Sequence, residues 1–333
     1  MNPTIIISNQ NDLSAQASSL SHQQQEQQQQ QSQASFQEVK QKLQEKGYNL
    51  VSEKDIGDLI KSGKEKCFLL DEIDLFPNVS DVMRTVCLIK WSECGKEVVG
   101  TGFLAKHEGS MFFMTAGHNL HNSPDSDRTL YFNNPGGKYK DEDIKKDKNI
   151  LRVSLNELKQ NNKNWVLSKE NSMVDDYFVL KLENCSEYLK ELANDAFPLH
   201  TSSDEYDKLL LLFGFPAKDL KPGSDIKMKI SLGMLKQWDE VKDEHNKSNP
   251  KPKVNFQKES ELEELVDGFK DKKIIFHSGD TLQGNSGTPV LVRVKDEGMK
   301  ICGIHLGGAQ IHWDGLLSST KINFARTPIT TIF

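Results

Sequence analysis

The sequence predicts an all-β protein: two antiparallel six-stranded β-barrels preceded by an N-terminal arm. Three observations lead there. From about Val82 onward, short apolar runs rich in β-branched residues alternate with polar loops, the pattern of half-buried strands. Those runs fall into two groups of about six. Ahead of them, Gln23 to Gln31 is broken only by Glu26 and offers no apolar group to offset the entropy of ordering.

The arm comes first. Residues 1–35 are expected to form a disordered, glutamine-rich tail. Residues 36–80 read as a short helical arm. Phe36, Val39 and Leu43 recur at spacings of three and four, and Ser52 with Asp55 resembles a capping box. That box would open a helix through Ile56, Leu59 and Ile60, stopped by Gly63. The arm is a candidate for docking on the barrels or for holding a protein partner.

The remainder, 81–333, divides at about residue 200. In the first half, strands are expected at 84–90, 98–106, 110–115, 130–132, 164–167 and 176–182. In the second half they are expected at 208–215, 226–235, 274–276, 289–294, 299–304 and 321–324. A hydrophilic surface insertion, 239–273, interrupts the second set. Within it, Ser260 and Glu263 would cap one helix through Leu262, Leu265 and Val266.

Composition narrows the function classes. The chain has 333 residues, 36% of them hydrophobic, and a net charge of −6, which argues against nucleic acid as a partner. No apolar run approaches the roughly 18–20 residues that span a bilayer. Ile5-Ile6-Ile7 is too short for a secretory core, and the first basic residues are Lys40 and Arg84. A soluble, cytoplasmic protein with no membrane partner is expected. The five cysteines form no CxxC pair, so reduced thiols are expected, with neither a disulfide framework nor a zinc site.

Three motifs carry chemistry. In Asp280-Thr-Leu-Gln-Gly-Asn-Ser-Gly-Thr-Pro-Val290, Ser286 lies in a tight turn beside Gly284, Asn285 and Gly287. Such a turn can aim the Gly284 and Ser286 amides at one spot, an oxyanion hole. In Phe112-Phe-Met-Thr-Ala-Gly-His118, an apolar strand runs straight into a histidine among small residues. In Asp175-Asp-Tyr-Phe-Val-Leu-Lys-Leu182, an acidic residue opens an apolar strand. Asp176 could orient the histidine's second nitrogen and stabilise its imidazolium. Singly, each is an ordinary turn, strand end or strand start. Together they stand in the order His, Asp, Ser, with the serine in the second strand set, which places the group across a cleft.

On these residues the chain resembles the chymotrypsin-like serine proteases. Thr115-Ala116-Gly117-His118 matches the family's Thr-Ala-Ala/Gly-His. Asp176-Tyr-Phe-Val-Leu-Lys-Leu182 matches its Asp strand and favours Asp176 over Asp175. Gly284 to Pro289 matches its Gly-Asp/Asn-Ser-Gly-x-Pro. The resemblance covers about residues 80–330 and implies the two-barrel fold, with His118, Asp176 and Ser286 as catalytic triad. Asp280 to Val290 and Gly303-Ile-His-Leu-Gly-Gly308 are similar to the glutamyl-endopeptidase-type subgroup. That likeness puts His305 on the floor of the specificity pocket with Thr281 lining it, favouring Glu or Gln before the scissile bond. Asp280 is the rival determinant, standing where trypsin-like members select Lys or Arg. Asn285 replaces the aspartate that pairs with a new N-terminal amine in trypsin-like zymogens, and being neutral it is expected to satisfy its amide on nearby backbone.

His118 and His121, three apart, lack a cysteine or carboxylate to complete a metal site. His107, His277 and His312 read as surface or loop residues. The expected function is therefore a cofactor-free, metal-free serine endopeptidase acting on polypeptides. The alternative is a catalytically silent interaction protein that keeps the fold.

Overall fold

The computed structural model describes residues 67–69, 83–121, 127–133, 147–168, 172, 174–200, 206–217, 226, 228–236, 252–254, 264, 267–268, 270–279, 281, 283–294, 297–313 and 319–327. The glutamine-rich tail, the two expected arm helices and the Ser260–Glu263 capping pair lie outside them. In chain order the elements are β1 (Cys67–Leu69), β2 (Val86–Glu93), β3 (Lys96–His107), β4 (Ser110–Thr115), α1 (His118–His121), β5 (Thr129–Phe132), β6 (Leu151–Ser154) and α2 (Leu155–Asn161). Next come β7 (Trp165–Leu167), β8 (Phe178–Lys181), α3 (Glu187–Asn194), β9 (Tyr206–Gly214), β10 (Lys229–Lys236) and β11 (Pro252–Val254). The last are β12 (Ile274–His277), β13 (Pro289–Val294), β14 (Gly298–Trp313) and β15 (Ser319–Arg326).

The described residues are mostly antiparallel sheet, with a few short helical stretches. Among the described residues the first sheet has seven strands in the order β6-β5-β2-β3-β4-β8-β7, and its end strands do not pair with each other. The hairpin from β3 to β4 turns on Glu108 and Gly109, with φ of 48° and 76°. Glycine takes that left-handed conformation without Cβ strain, and two such residues match the twist of the flanking strands. The register this sets, Leu104 opposite Phe113, sends both side chains into the core.

Phe113 anchors that core, edge-on to Phe132 and Phe178 with ring centroids 6.3 Å away in each case. All three rings are fully buried, and each contributes roughly 1.5–3 kcal/mol by leaving water. Leu155 and Leu158 of α2 and Leu189 and Leu192 of α3 close the same cluster. Both helices have serine N-caps: Ser154 accepts from the Glu157 amide and Ser186 from the Leu189 amide.

The second sheet has eight strands rather than six. Its pairings run β9–β10, β10–β12, β12–β15, β15–β14, β14–β13 and back from β13 to β9. The two extra strands were not foreseen. β1, inside the stretch expected as helical arm, pairs with β10 through the apolar run Cys67-Phe-Leu69. β11, inside the insertion, pairs with the far end of β14. Residues 197–200 stitch the sheets together: Leu199 donates to the Lys106 carbonyl at 2.8 Å and His200 to the Ile301 carbonyl at 2.8 Å. Cys87, Cys94, Cys185 and Cys302 carry free thiols, and burial pushes the Cys87 and Cys302 thiols well above their ordinary pKa. Among the described residues, no helix is long and apolar enough to cross a membrane.

Candidate active site

Strand β4 delivers His118. After Thr115 the chain leaves the sheet, and the Gly117 carbonyl accepts from the Leu120 amide at 2.8 Å and the His121 amide at 3.1 Å, starting the single turn of α1. Buried Arg128 holds the other end, donating to the Asn119 carbonyl at 3.0 Å and the Leu120 carbonyl at 3.1 Å. Its guanidinium lies 5.6 Å from the Trp91 ring centroid, and burial lowers its pKa below the ordinary arginine value.

Asp176 grips His118 twice. Its Oδ1 accepts from the His118 backbone amide at 2.7 Å, and its Oδ2 lies 2.5 Å from the ring Nδ1. With a proton on Nδ1 the ring donates to the carboxylate, and Nε2 is left as the basic nitrogen. Gly117 makes the approach possible, because a Cβ there would sit 2.8 Å from Asp176 Oδ1. Asp175 faces elsewhere, with Oδ1 3.1 Å from Arg326. Of the two aspartates the structure therefore brings Asp176 to the histidine. It does so from a loop: β8 begins only at Phe178, two residues beyond the expected strand start.

The serine turn is fastened to the first sheet. The Ser286 carbonyl accepts from the Thr101 amide and from Asn119 Nδ2, both at 3.0 Å. Thr101 Oγ1 donates to the Gly284 carbonyl at 2.8 Å and accepts from the Phe215 amide at 3.1 Å. The Gly287 amide donates to the His305 carbonyl at 2.7 Å. Asn119 is the residue after His118, so one side chain ties the histidine's helix to the serine's backbone. Gly284 and Gly287 have φ of 94° and 89°. Among the described residues, neither the Gly284 nor the Ser286 amide has an acceptor. Ser286 Oγ donates to the Leu306 carbonyl at 3.3 Å, and no described hydrogen bond joins it to His118.

Asn285 departs from expectation. Its Oδ1 is buried and has no hydrogen-bond partner among the described residues, as is also true of Thr288 Oγ1. The turn is instead held by Thr101, Asn119 and the His305 carbonyl.

His305 is buried at 2% exposure in β14, with Nδ1 3.1 Å from Nε2 of His277. The expectation that His277 is a surface or loop residue is wrong: it ends β12 with no exposed area. The apolar run Ile274-Ile-Phe before it carried that signal. Thr281 is buried and gives its hydroxyl proton to Asn323 Oδ1 at 2.7 Å. Asp280 lies outside the described residues. Thr101, Asn119, Arg128 and His277 were missed by sequence reasoning: each is a single polar residue with no motif around it, and the partners of Thr101 and Asn119 are distant in the chain.

No family model and no curated protein matches this chain. Among solved structures it is similar to the protease Anisep of Arthrobacter nicotinovorans, at 12% identity and TM-score 0.43, covering 74% of this chain and 91% of that one. It is similar also to the thermostable serine protease AL20 of an extremophilic microorganism, at 13% identity and TM-score 0.42, covering 74% and 92%. A third is a scabies mite inactivated protease paralogue, at 11% identity and TM-score 0.43, covering 74% and 90%. Values this low carry no argument about the activity of this chain.

Proposed function

We propose that the chain is a serine endopeptidase of the chymotrypsin-like kind, its two sheets serving as the two barrels and His118, Asp176 and Ser286 as its triad. One observation carries this: the Ser286 turn is bonded through Asn119 to the same short helix whose His118 is held at ring and backbone by Asp176. The ring of pairings in the second sheet supports the barrel reading.

The chemistry follows from these positions. His118 Nε2 takes the Ser286 hydroxyl proton as Oγ attacks the peptide carbonyl, and Asp176 stabilises the imidazolium. The Gly284 and Ser286 amides receive the oxyanion. The imidazolium protonates the leaving amine, and water activated by His118 then cleaves the acyl-enzyme. Before attack, Ser286 must turn its hydroxyl from Leu306 toward His118. At 3.3 Å the bond it leaves is a long one between neutral groups, and a catalytic serine–histidine bond commonly tightens only with substrate bound.

The second reading, a silent protease-fold interaction protein, is favoured by that same Ser286–Leu306 contact. A peptide library separates the two. Internal cleavage that disappears in Ser286→Ala supports the endopeptidase, and an intact library supports the silent protein.

Side-chain preference is proposed to rest on His305, with Thr281 lining the same pocket. With His277 Nε2–H donating to Nδ1, His305 would read a carboxylate or carboxamide before the scissile bond through its Nε2–H. Peptides with Glu or Gln there are expected to be cleaved best, and His305→Ala should reduce that preference more than general activity. Cleavage after Lys or Arg would instead point to Asp280 and refute the pocket.

Activation is expected to need no cut. The turn's carbonyls are already held by Thr101 and Asn119, and Asn285 brings no buried charge that would demand an incoming ammonium. The full-length chain with its glutamine-rich arm should react with an active-site probe, as intact mass would show. Reaction only of a form trimmed near residues 75–85 would make the arm an inhibitory propeptide.

A further inference from the structure

We infer that Glu264, in the insertion at 239–273, is a positioning residue for Asp176. The inference rests on the endopeptidase reading, and it gives the insertion a part in the site. Ser172 and residues 174–177 belong to no strand, lying between the end of β7 at Leu167 and the start of β8 at Phe178. Yet Asp176 must meet His118 at two atoms. The segment's placement therefore comes from contacts made to it.

Glu264 supplies the outer set. Its Oε1 accepts from Ser172 Oγ at 2.7 Å and from the Val174 amide at 3.3 Å. Ser172 Oγ in turn accepts from the Asp175 amide at 2.8 Å. One carboxylate oxygen thus fixes the two amides immediately before Asp176, one directly and one through a hydroxyl. Hydrogen bonds to a carboxylate are the stronger kind, and a hydroxyl that donates to one is a better acceptor for the next. The Tyr177 amide, on the far side of Asp176, is held separately by Ser168 Oγ at 2.9 Å.

Two further contacts bring the end of the insertion to the same loop. Buried Val174 packs so closely on Gly268 that a Cβ there would lie 2.7 and 2.9 Å from its methyls. Arg326 pairs with Asp175 and donates to the Lys273 carbonyl at 3.1 Å, linking the loop to the insertion's last residue. The insertion is therefore fastened where it sets the angle of the catalytic aspartate.

The test compares Glu264→Ala with Glu264→Gln in the full-length protein. Glutamine keeps the acceptor Oε1, so it should retain function. Alanine removes the acceptor for both donors and should lower kcat roughly 10- to 100-fold, the scale of a small misplacement in a site, with KM unchanged. The far-downfield proton signal of the short His118–Asp176 bond should be present in wild type and Glu264→Gln, and lost or moved in Glu264→Ala. This signal does not depend on turnover. An inactive wild type with that pattern would sink the protease reading and leave this one standing. An active wild type whose kcat and signal are both untouched by Glu264→Ala would overturn the inference. Should Glu264→Ala not fold, Ser172→Ala breaks the same relay and should lower kcat in the same direction; no change there would equally overturn it.

Discussion

Ser286→Ala and His118→Ala are each expected to lower kcat by about 10⁴-fold or more while the protein stays folded. Ser286 is partly exposed and the His118 side chain is 40% exposed, so neither truncation opens a core cavity. What disappears is the nucleophile or its base, on the order of 5.5 kcal/mol of transition-state stabilisation. Asp176→Asn should be comparably severe although it is nearly isosteric. An amide nitrogen facing Nδ1 would stabilise the ring with its proton on Nε2, the nitrogen that must accept the serine proton. Asp175→Asn is the control, because that side chain faces Arg326 and is 48% exposed. A crippling Asp175→Asn beside a harmless Asp176→Asn would reverse the assignment of the acid.

Gly287→Ala is expected to lower probe reactivity sharply, through the backbone. Gly287 has φ of 89°, where an alanine is strained by roughly 1–2 kcal/mol. Its Cβ would also run into the Thr101 carbonyl and Thr115 Oγ1, with the Ala116 amide at 3.0 Å. Those atoms belong to β3 and the end of β4, so the turn must back away from the first sheet. The bonds from Thr101 and Asn119 to the Ser286 carbonyl then stretch, and the nucleophile leaves His118. A drop of at least about 100-fold in labelling rate is expected, since a displacement near 1 Å at a reacting group costs that much. Folding should survive, because Gly287 belongs to neither apolar cluster. Labelling at the wild-type rate would show that the turn is not seated as described.

Much of this was readable from local pattern. The run Ser110–Thr115 shows its strand by composition, and β4 has those limits. Pro289–Val294 does the same for β13. The Ser154-Leu-Asn-Glu157 cap of α2 was also in plain sight, but its seven residues are too few for a helical period to stand out. β14 extends nine residues past its expected end, because the pairing shifts register between His305 and Gly307 and continues along β15. β11 is a strand only because β14 offers it an edge. The motifs around His118, Asp176 and Ser286 were legible since each carries its own glycine or strand signature. Thr101, Asn119 and Glu264 were not, because their roles arise from partners 183, 167 and 92 residues away in the chain.

The central claim is that Ser286 is a nucleophile activated by His118, and covalent labelling addresses it most directly. Folded full-length protein is treated with a fluorophosphonate, its intact mass recorded, and the modified residue located by peptide mapping. One adduct per chain on Ser286 is predicted, with none in Ser286→Ala or His118→Ala. A folded wild-type protein that takes up no probe, or takes it up at another residue, would contradict the account.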